Sequence, residues 1–197
     1  MKDYIFPDIP RQYKKIARAS KKLQFNMASD LYTGSLLKTL VASKPSGRIL
    51  ELGTGSGLAT SWILSGMSKN AKLVTVDNND ILLDIAKESL TDPRIKFVLA
   101  DGYEWLKNYK GEKFDLVFAD AIPGKYDLLK EALSLVKVGG FYIIDDMNPR
   151  PNWPAGHAVR VKKLITTLEE RDDVTLTKLN WSTGIIIVTK ISDASIT

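Results

Sequence analysis

The sequence predicts an α/β fold: a doubly wound, mostly parallel seven-stranded sheet that ends in an antiparallel C-terminal hairpin strand. From Arg48 onward, short β-rich apolar runs alternate with helical patterns, which is the signature of βαβ units and a parallel sheet. The last two runs break that alternation, because only Asn180-Trp181-Ser182-Thr183-Gly184 lies between them and no crossover helix separates them. A glycine-rich segment, Gly53-Thr54-Gly55-Ser56-Gly57, joins the first run to the first helical pattern of the sheet region.

Strands are expected over Arg48 to Leu52, Lys72 to Val76, Ile95 to Ala100, Phe114 to Ala119, Phe141 to Asp145, Val174 to Leu179 and Ile185 to Thr189. Helices are expected near Leu58 to Met67, Asn79 to Leu90, Tyr103 to Tyr109, Tyr126 to Val136 and Ala158 to Arg171, with Gly139-Gly140 as the stop of the fourth. Ahead of the first strand, Arg11, Lys14, Lys15, Arg18, Lys21 and Lys22 recur at helical spacing, and Tyr13, Ile16, Leu23 and Met27 form the expected core-facing stripe. Lys44-Pro45-Ser46-Gly47 reads as the linker between these N-terminal helices and the sheet.

With 197 residues, 44% of them hydrophobic, the chain supports one compact domain with a substantial core. No stretch approaches the roughly 20 apolar residues of a membrane span, and Met1-Lys2-Asp3-Tyr4 lacks a signal-peptide core, so a cytoplasmic protein with no membrane partner is expected. The absence of cysteine excludes disulfides, a thiolate nucleophile and thiolate-held metals. Any metal must be held by oxygen or by the sole histidine, His157. The net charge of +5 arises at the N-terminus, where residues 1–25 hold seven Lys/Arg against two Asp and the remainder is balanced. That basic face is either a solvated surface or a rim that attracts anions or nucleic acid.

The segment Ile49-Leu50-Glu51-Leu52-Gly53-Thr54-Gly55-Ser56-Gly57-Leu58 is a buried strand running through three alternate glycines into a helix. Glycine permits positive φ there and lets a ligand approach the backbone where a helix start presents free N–H groups. The dinucleotide-binding fingerprint places its third glycine three residues after the second, and Leu58 occupies that position.

With its acidic residue and alternate glycines, this segment resembles the first motif of the class I S-adenosylmethionine (SAM)-dependent methyltransferases, and the resemblance runs from Met27 to Lys190. It implies a Rossmann-like sheet of order 3-2-1-4-5-7-6 in one methyltransferase domain, residues 1–197, with an N-terminal helical lid over 1–45 and an α/β core over 46–191. It also implies that Glu51, Gly53, Thr54, Gly55, Ser56 and Gly57 line the methionine part of SAM, with Met27 of the lid touching the cofactor. Asp77, followed by Asn78, ends the second strand where a carboxylate can accept both ribose hydroxyls. Asp101-Gly102 follows the third strand at the family's adenine position, although an aspartate there is also a common helix cap.

In this fold's usual order, strands four and five are neighbours, which brings Asp120, Asp145 and Asp146 close together. Carboxylates that close repel unless their pKa values rise or a cation intervenes, and hard oxygen ligands suit Mg²⁺, Mn²⁺ or Ca²⁺. The constellation is similar to the catechol and caffeoyl-CoA O-methyltransferases, in which a cation holds two vicinal oxygens of the acceptor. That resemblance implies Asp120, Asp145 and Asp146 as metal ligands, with Asp120 also at the cofactor and in catalysis. The family's asparagine is Asp146 here, and its lysine three residues after the strand-four aspartate is Pro123, with Lys125 two residues out of register.

The loop after strand five carries Trp153, able to stack on a flat ligand, and His157, a candidate base or substrate hydrogen-bonding group. The reading is a small-molecule O-methyltransferase, with a homodimer as the family's expected assembly. Two alternatives are a nucleic-acid or protein methyltransferase docking through the basic helix, and a SAM-binding protein without turnover.

Overall fold

The computed structural model describes residues 8–149 and 155–193. Trp153 lies outside the described residues.

Two helices, α1 (Tyr13–Lys22) and α2 (Leu31–Ala42), precede the sheet. There follow β1 (Arg48–Leu52), α3 (Leu58–Gly66), β2 (Lys72–Asp77), α4 (Asp80–Ser89), β3 (Ile95–Leu99) and α5 (Gly102–Asn108). The second half comprises β4 (Phe114–Ala119), α6 (Ile122–Lys125), α7 (Leu129–Ser134), β5 (Val136–Ile144), α8 (His157–Glu169), β6 (Val174–Leu179) and β7 (Ile185–Lys190). The seven strands stand in the order β3-β2-β1-β4-β5-β7-β6, as the fold class predicts. β1 pairs in parallel with β2 and β4, and β5 turns the direction by pairing antiparallel with β7.

Alternation along the strands builds three layers. Ile49, Leu116, Phe118 and Ile143 point to one face and pack with Ile16, Leu37, Val41 and Ile63 of α1 to α3. Leu50, Val117, Tyr142 and Ile144 point to the other and pack with Ala132, Leu133, Val161, Leu164 and Leu168 of α7 and α8. Each such side chain removed from water stabilises the fold by about 1.5–3 kcal/mol. Because both faces of the central strands are covered, polar chemistry is confined to the strand ends.

Three local expectations are corrected. Gly139-Gly140 does not stop a helix; it lies inside β5, where the register against β4 shifts between Phe114 and Leu116. A Cβ on Gly140 would stand 2.8 Å from the Lys137 carbonyl and 3.1 Å from that of Asp115, so the irregularity needs glycine. Of the helix expected over 126–136 only α7 forms, beginning after Leu128 in a left-handed conformation (φ 57°) and ending before β5 starts at Val136. On α1, Ile16 is buried, but Leu23 and Met27 lie beyond the helix end and are exposed. The basic residues from Arg11 to Lys22 are all exposed.

Glu51 sits wholly buried in β1 and gathers the elements around it. Its Oε2 accepts from Thr60 Oγ1 of α3 at 2.6 Å and from Thr75 Oγ1 of β2 at 2.5 Å, and Thr75 is linked to Thr54 of the glycine turn at 2.6 Å. Burial pushes the carboxyl up to about 8, against the two hydroxyl donors, which favour ionisation. The folded state therefore holds this proton more tightly than the unfolded chain does. The resulting stability is complete below the ordinary glutamate range and is lost as pH rises through about 8.

Two predictions follow from this packing. Between about pH 5 and 8 the melting temperature of the protein should fall, and Glu51→Gln, which keeps the shape and an acceptor, should flatten that fall; equal slopes would reject a neutral buried Glu51. Gly34 of α2 lies against Trp62 of α3, where an added Cβ would stand 2.2 Å from the indole Cδ1. Gly34→Ala should cost about 1–3 kcal/mol of unfolding free energy by overpacking, measured by urea denaturation.

Candidate functional site

The carboxyl ends of β1, β2, β3 and β4 meet around the glycine turn. Gly53, Gly55 and Gly57 all have positive φ (100°, 50° and 93°). Gly53 N donates to Val76 O at 2.9 Å, and Asp120 N donates to Leu52 O at 2.9 Å, so the turn is held between the ends of β2 and β4. A Cβ on Gly53 would lie 2.8 Å from the Asp120 carbonyl oxygen. Gly55 N donates to Asp77 Oδ2 at 2.7 Å, and Asn79 N donates to Asp77 Oδ1 at 2.8 Å. Backbone donors thus fix the Asp77 carboxylate at the lip of the turn. Asp101 Oδ1 caps α5 by accepting from Tyr103 N at 2.9 Å and Glu104 N at 3.1 Å, so one of its oxygens serves the helix.

These ends enclose a cleft of two lobes that share Gly53, Asp77 and Asn78. The first, about 260 Å³, is lined by Leu52, Val76, Ala100, Asp101, Gly102, Tyr103, Ala121, Ile122 and Pro123. The second, about 220 Å³, is lined by Phe25, Met27, Ser29, Thr54, Gly55, Ser56, Asn79, Leu82 and Asp120, among others. Met27 is 76% exposed and Ile122 is 47% exposed, so the cleft offers bare apolar surface to a ligand.

Of the residues expected at the cofactor, Met27, Gly53, Thr54, Gly55, Ser56, Asp77, Asn78, Asp101, Gly102 and Asp120 line the two lobes. Glu51 and Gly57 do not. Glu51 lies beneath the turn, and Gly57 is the left-handed residue that starts α3, where a Cβ would meet Ala86 of α4 at 2.9 Å. Phe25, Tyr103, Ile122 and Pro123 join the lining without a sequence signal that singled them out. The one available hint was position: Ile122 and Pro123 directly follow the end of a buried strand.

Around Asp120, which lines the second lobe, stands a cluster of charges. Asp120 accepts from Ser29 Oγ at 3.2 Å through Oδ2 and from Lys125 Nζ at 3.3 Å through Oδ1. The ammonium is almost wholly buried, with a side-chain exposure of 6%. Burial pushes the Asp120 carboxyl up, while Lys125 opposes that shift and Asp146 adds to it. Asp145 accepts from Asp146 N at 2.7 Å and from the Thr183 hydroxyl, and burial, followed by the charge of Asp120, raises it to about 7. Asp146 has φ 62°, a left-handed backbone that asparagine and aspartate tolerate better than most residues. An Asx residue at that position is therefore explained by the backbone alone.

Asp120, Asp145 and Asp146 come close enough for their charges to act on one another, as expected, while among the described residues no group of three or more His, Asp or Glu side chains is arranged to hold a metal ion. His157 opens α8, and its Nε2 is 2.8 Å from Tyr126 Oη. Burial, followed by the nearby Lys125 charge, holds its imidazolium form below the ordinary histidine range. Sequence register alone does not single out Lys125, which stands two residues away from the family's lysine position. The turn through Pro123 and Gly124 brings it back to Asp120, five positions earlier.

No helix of the described residues is long and apolar enough to cross a membrane. A Mycobacterium ulcerans protein, provisionally named an O-methyltransferase, is 32% identical over 117 residues, which cover 56% of this chain and 52% of that protein. The chain thus spans about half the length of the curated relatives it matches. Among solved structures, the O-methyltransferase TomG of Streptomyces achromogenes, crystallised with SAM, superimposes with a TM-score of 0.80 at 22% identity, over 92% of this chain and 90% of that one. An O-methyltransferase of Bacillus cereus, in complex with S-adenosylhomocysteine (SAH), gives 0.81 at 20% identity over 95% and 94%. Residues 50–147 match the family model described as a methyltransferase domain, and the sheet order is the one that the resemblance to the class I methyltransferases implies.

Proposed function

We propose that the chain binds SAM in the two-lobed cleft and transfers its methyl group to a hydroxyl oxygen of a small molecule. One observation carries the reading: two lobes of about 260 and 220 Å³ meet at Gly53, Asp77 and Asn78, which suits a ligand with an aromatic base on one side, an amino acid on the other and a sugar between. Asp77 would accept from the ribose hydroxyls, and Asp101 would reach the adenine amino group with the oxygen that the α5 cap leaves over. Ile122 and Pro123 give the base an apolar wall, and the turn from Gly53 to Ser56 offers its backbone to the methionine part. The names of the relatives and of the superimposed structures support oxygen as the acceptor atom.

SAM supplies a methyl group already activated on a sulfonium, so the protein has to align the acceptor, take up its proton and exclude water. The acceptor hydroxyl gives up its proton, its oxygen bonds to the methyl carbon, and the carbon–sulfur pair returns to sulfur. His157, whose imidazolium is disfavoured, is the base we assign: the acceptor gives its proton to Tyr126 Oη as the Tyr126 hydroxyl proton passes to His157 Nε2, 2.8 Å away. Asp120, which lines the methionine lobe, orients the acceptor through its own partners Ser29 and Lys125.

Asp77→Asn should weaken binding of SAM and SAH by roughly 10- to 100-fold, the effect of losing hydrogen bonds to a charged acceptor, as read by calorimetry. Wild-type protein that binds neither compound would sink the functional reading. In a turnover assay with a radiolabelled methyl group, the rate should rise with pH through a limb below the ordinary histidine range, and His157→Ala should abolish that limb. An unchanged profile would remove His157 from the chemistry.

A further inference from the structure

We infer that the Lys125 ammonium takes the place that a divalent cation holds in the catechol-type relatives, so that this chain works without a metal. The inference rests on the functional reading above and concerns the charge at the acceptor end of the same cleft.

Three features of the chain support it. First, the turn after β4 is built to bring Lys125 inward. Pro123 and Gly124 leave helical geometry (ψ 131° and φ 92°), Gly124 O accepts from Tyr142 Oη at 2.5 Å, and Gly124 N donates to Asp127 O at 2.7 Å. A Cβ on Gly124 would stand 2.5 Å from Leu52 Cδ1, so the loop closes this tightly only with glycine. Second, the lysine that ends this turn meets Asp120 at 3.3 Å and is 5% exposed, which makes a positive charge a built part of the site. Third, the ammonium itself occupies an oxygen that a divalent ion would use, since Asp120 Oδ1 accepts from Lys125 Nζ at 3.3 Å. A divalent ion, held by a few carboxylate oxygens and completing its shell with water, would stand against the ammonium as a like charge.

An ammonium also differs from a metal in what it can do. A metal ion can hold two vicinal oxygens at once, whereas Lys125 can donate to one acceptor oxygen while keeping Asp120.

The test is a titration of Mn²⁺ alone, followed by the loss of its free electron paramagnetic resonance signal, with wild type, Lys125→Met and Lys125→Arg. Circular dichroism melts confirm that each variant folds, and Lys125→Gln replaces Lys125→Met if the latter does not. Wild type and Lys125→Arg should take up no Mn²⁺, and Lys125→Met should bind one ion per chain once the ammonium no longer opposes it. One Mn²⁺ per wild-type chain, held tighter than the ~0.1–1 mM of weak protein cation sites, would overturn the inference. So would failure of Lys125→Met to bind, because carboxylate layout rather than Lys125 would then exclude the ion. Calorimetry of SAH with wild type is run alongside: loss of that binding removes the functional reading, whereas the Mn²⁺ result bears on Lys125 alone.

Discussion

The close passage of Gly53 beneath the Asp120 peptide is the constraint on which the site depends. At this point the loop leaving β1 and the loop leaving β4 touch backbone to backbone, since Gly53 has φ 100° and a Cβ there would stand 2.8 Å from the Asp120 carbonyl oxygen. No side chain fits between them. The contact sets the distance between the turn that faces the cleft and the aspartate that lines its second lobe. Below it, Glu51 ties β1 to α3 and β2, so the turn rests on a buried polar hub rather than on apolar packing alone. A hub of that kind specifies one arrangement, because a misplaced hydroxyl would leave a buried carboxyl unpartnered.

The acceptor end carries an unusual concentration of buried charge. Asp120, Asp145 and Lys125 are all largely removed from water, and Asp145 is shifted to about 7 by burial and by its neighbour. A buried ion pair is a poor source of stability, because desolvation offsets most of the attraction. An apolar cluster of the same volume would hold these loops together at least as well. In the proposed reaction the pair has a use that stability does not explain: Asp120 and Lys125 would set a fixed dipole beside the cleft where an acceptor hydroxyl loses its proton.

The parts legible in the sequence were those encoded locally. Strand runs, the hairpin through Asn180 to Gly184 and the glycine turn each declare themselves within a few residues, and the resemblance carried by the glycine turn implied the sheet order. The parts that were not legible depend on contacts distant in sequence. Gly139-Gly140 carries the composition of a helix stop, yet β4 recruits it into β5 through a register shift. Met27 fits a core-facing stripe by spacing, but α1 ends at Lys22 and leaves it in the cleft. Lys125 looked out of register because register assumes a regular turn, and Pro123-Gly124 makes an irregular one. Asp146 shows the converse: a residue that reads as a metal ligand also answers a left-handed backbone demand.

The N-terminal segment joins these pieces. Ser20 of α1 donates to Ser56 of the glycine turn at 2.7 Å, Ser29 reaches Asp120, and Asp30 caps α2 while accepting from Ser182 of the β6–β7 turn. Trp181 of that turn donates to Tyr32 O at 3.2 Å. A short stretch from Ser20 to Tyr32 therefore contacts the cofactor turn, the acceptor-end aspartate and the hairpin at the sheet's edge. Such a segment cannot shift at one contact without loading the other two, because each is a directional hydrogen bond. In the proposed reaction, changes in this segment that alter which acceptor enters would also change how the glycine turn is held, so acceptor choice and cofactor affinity would be coupled through the same few residues.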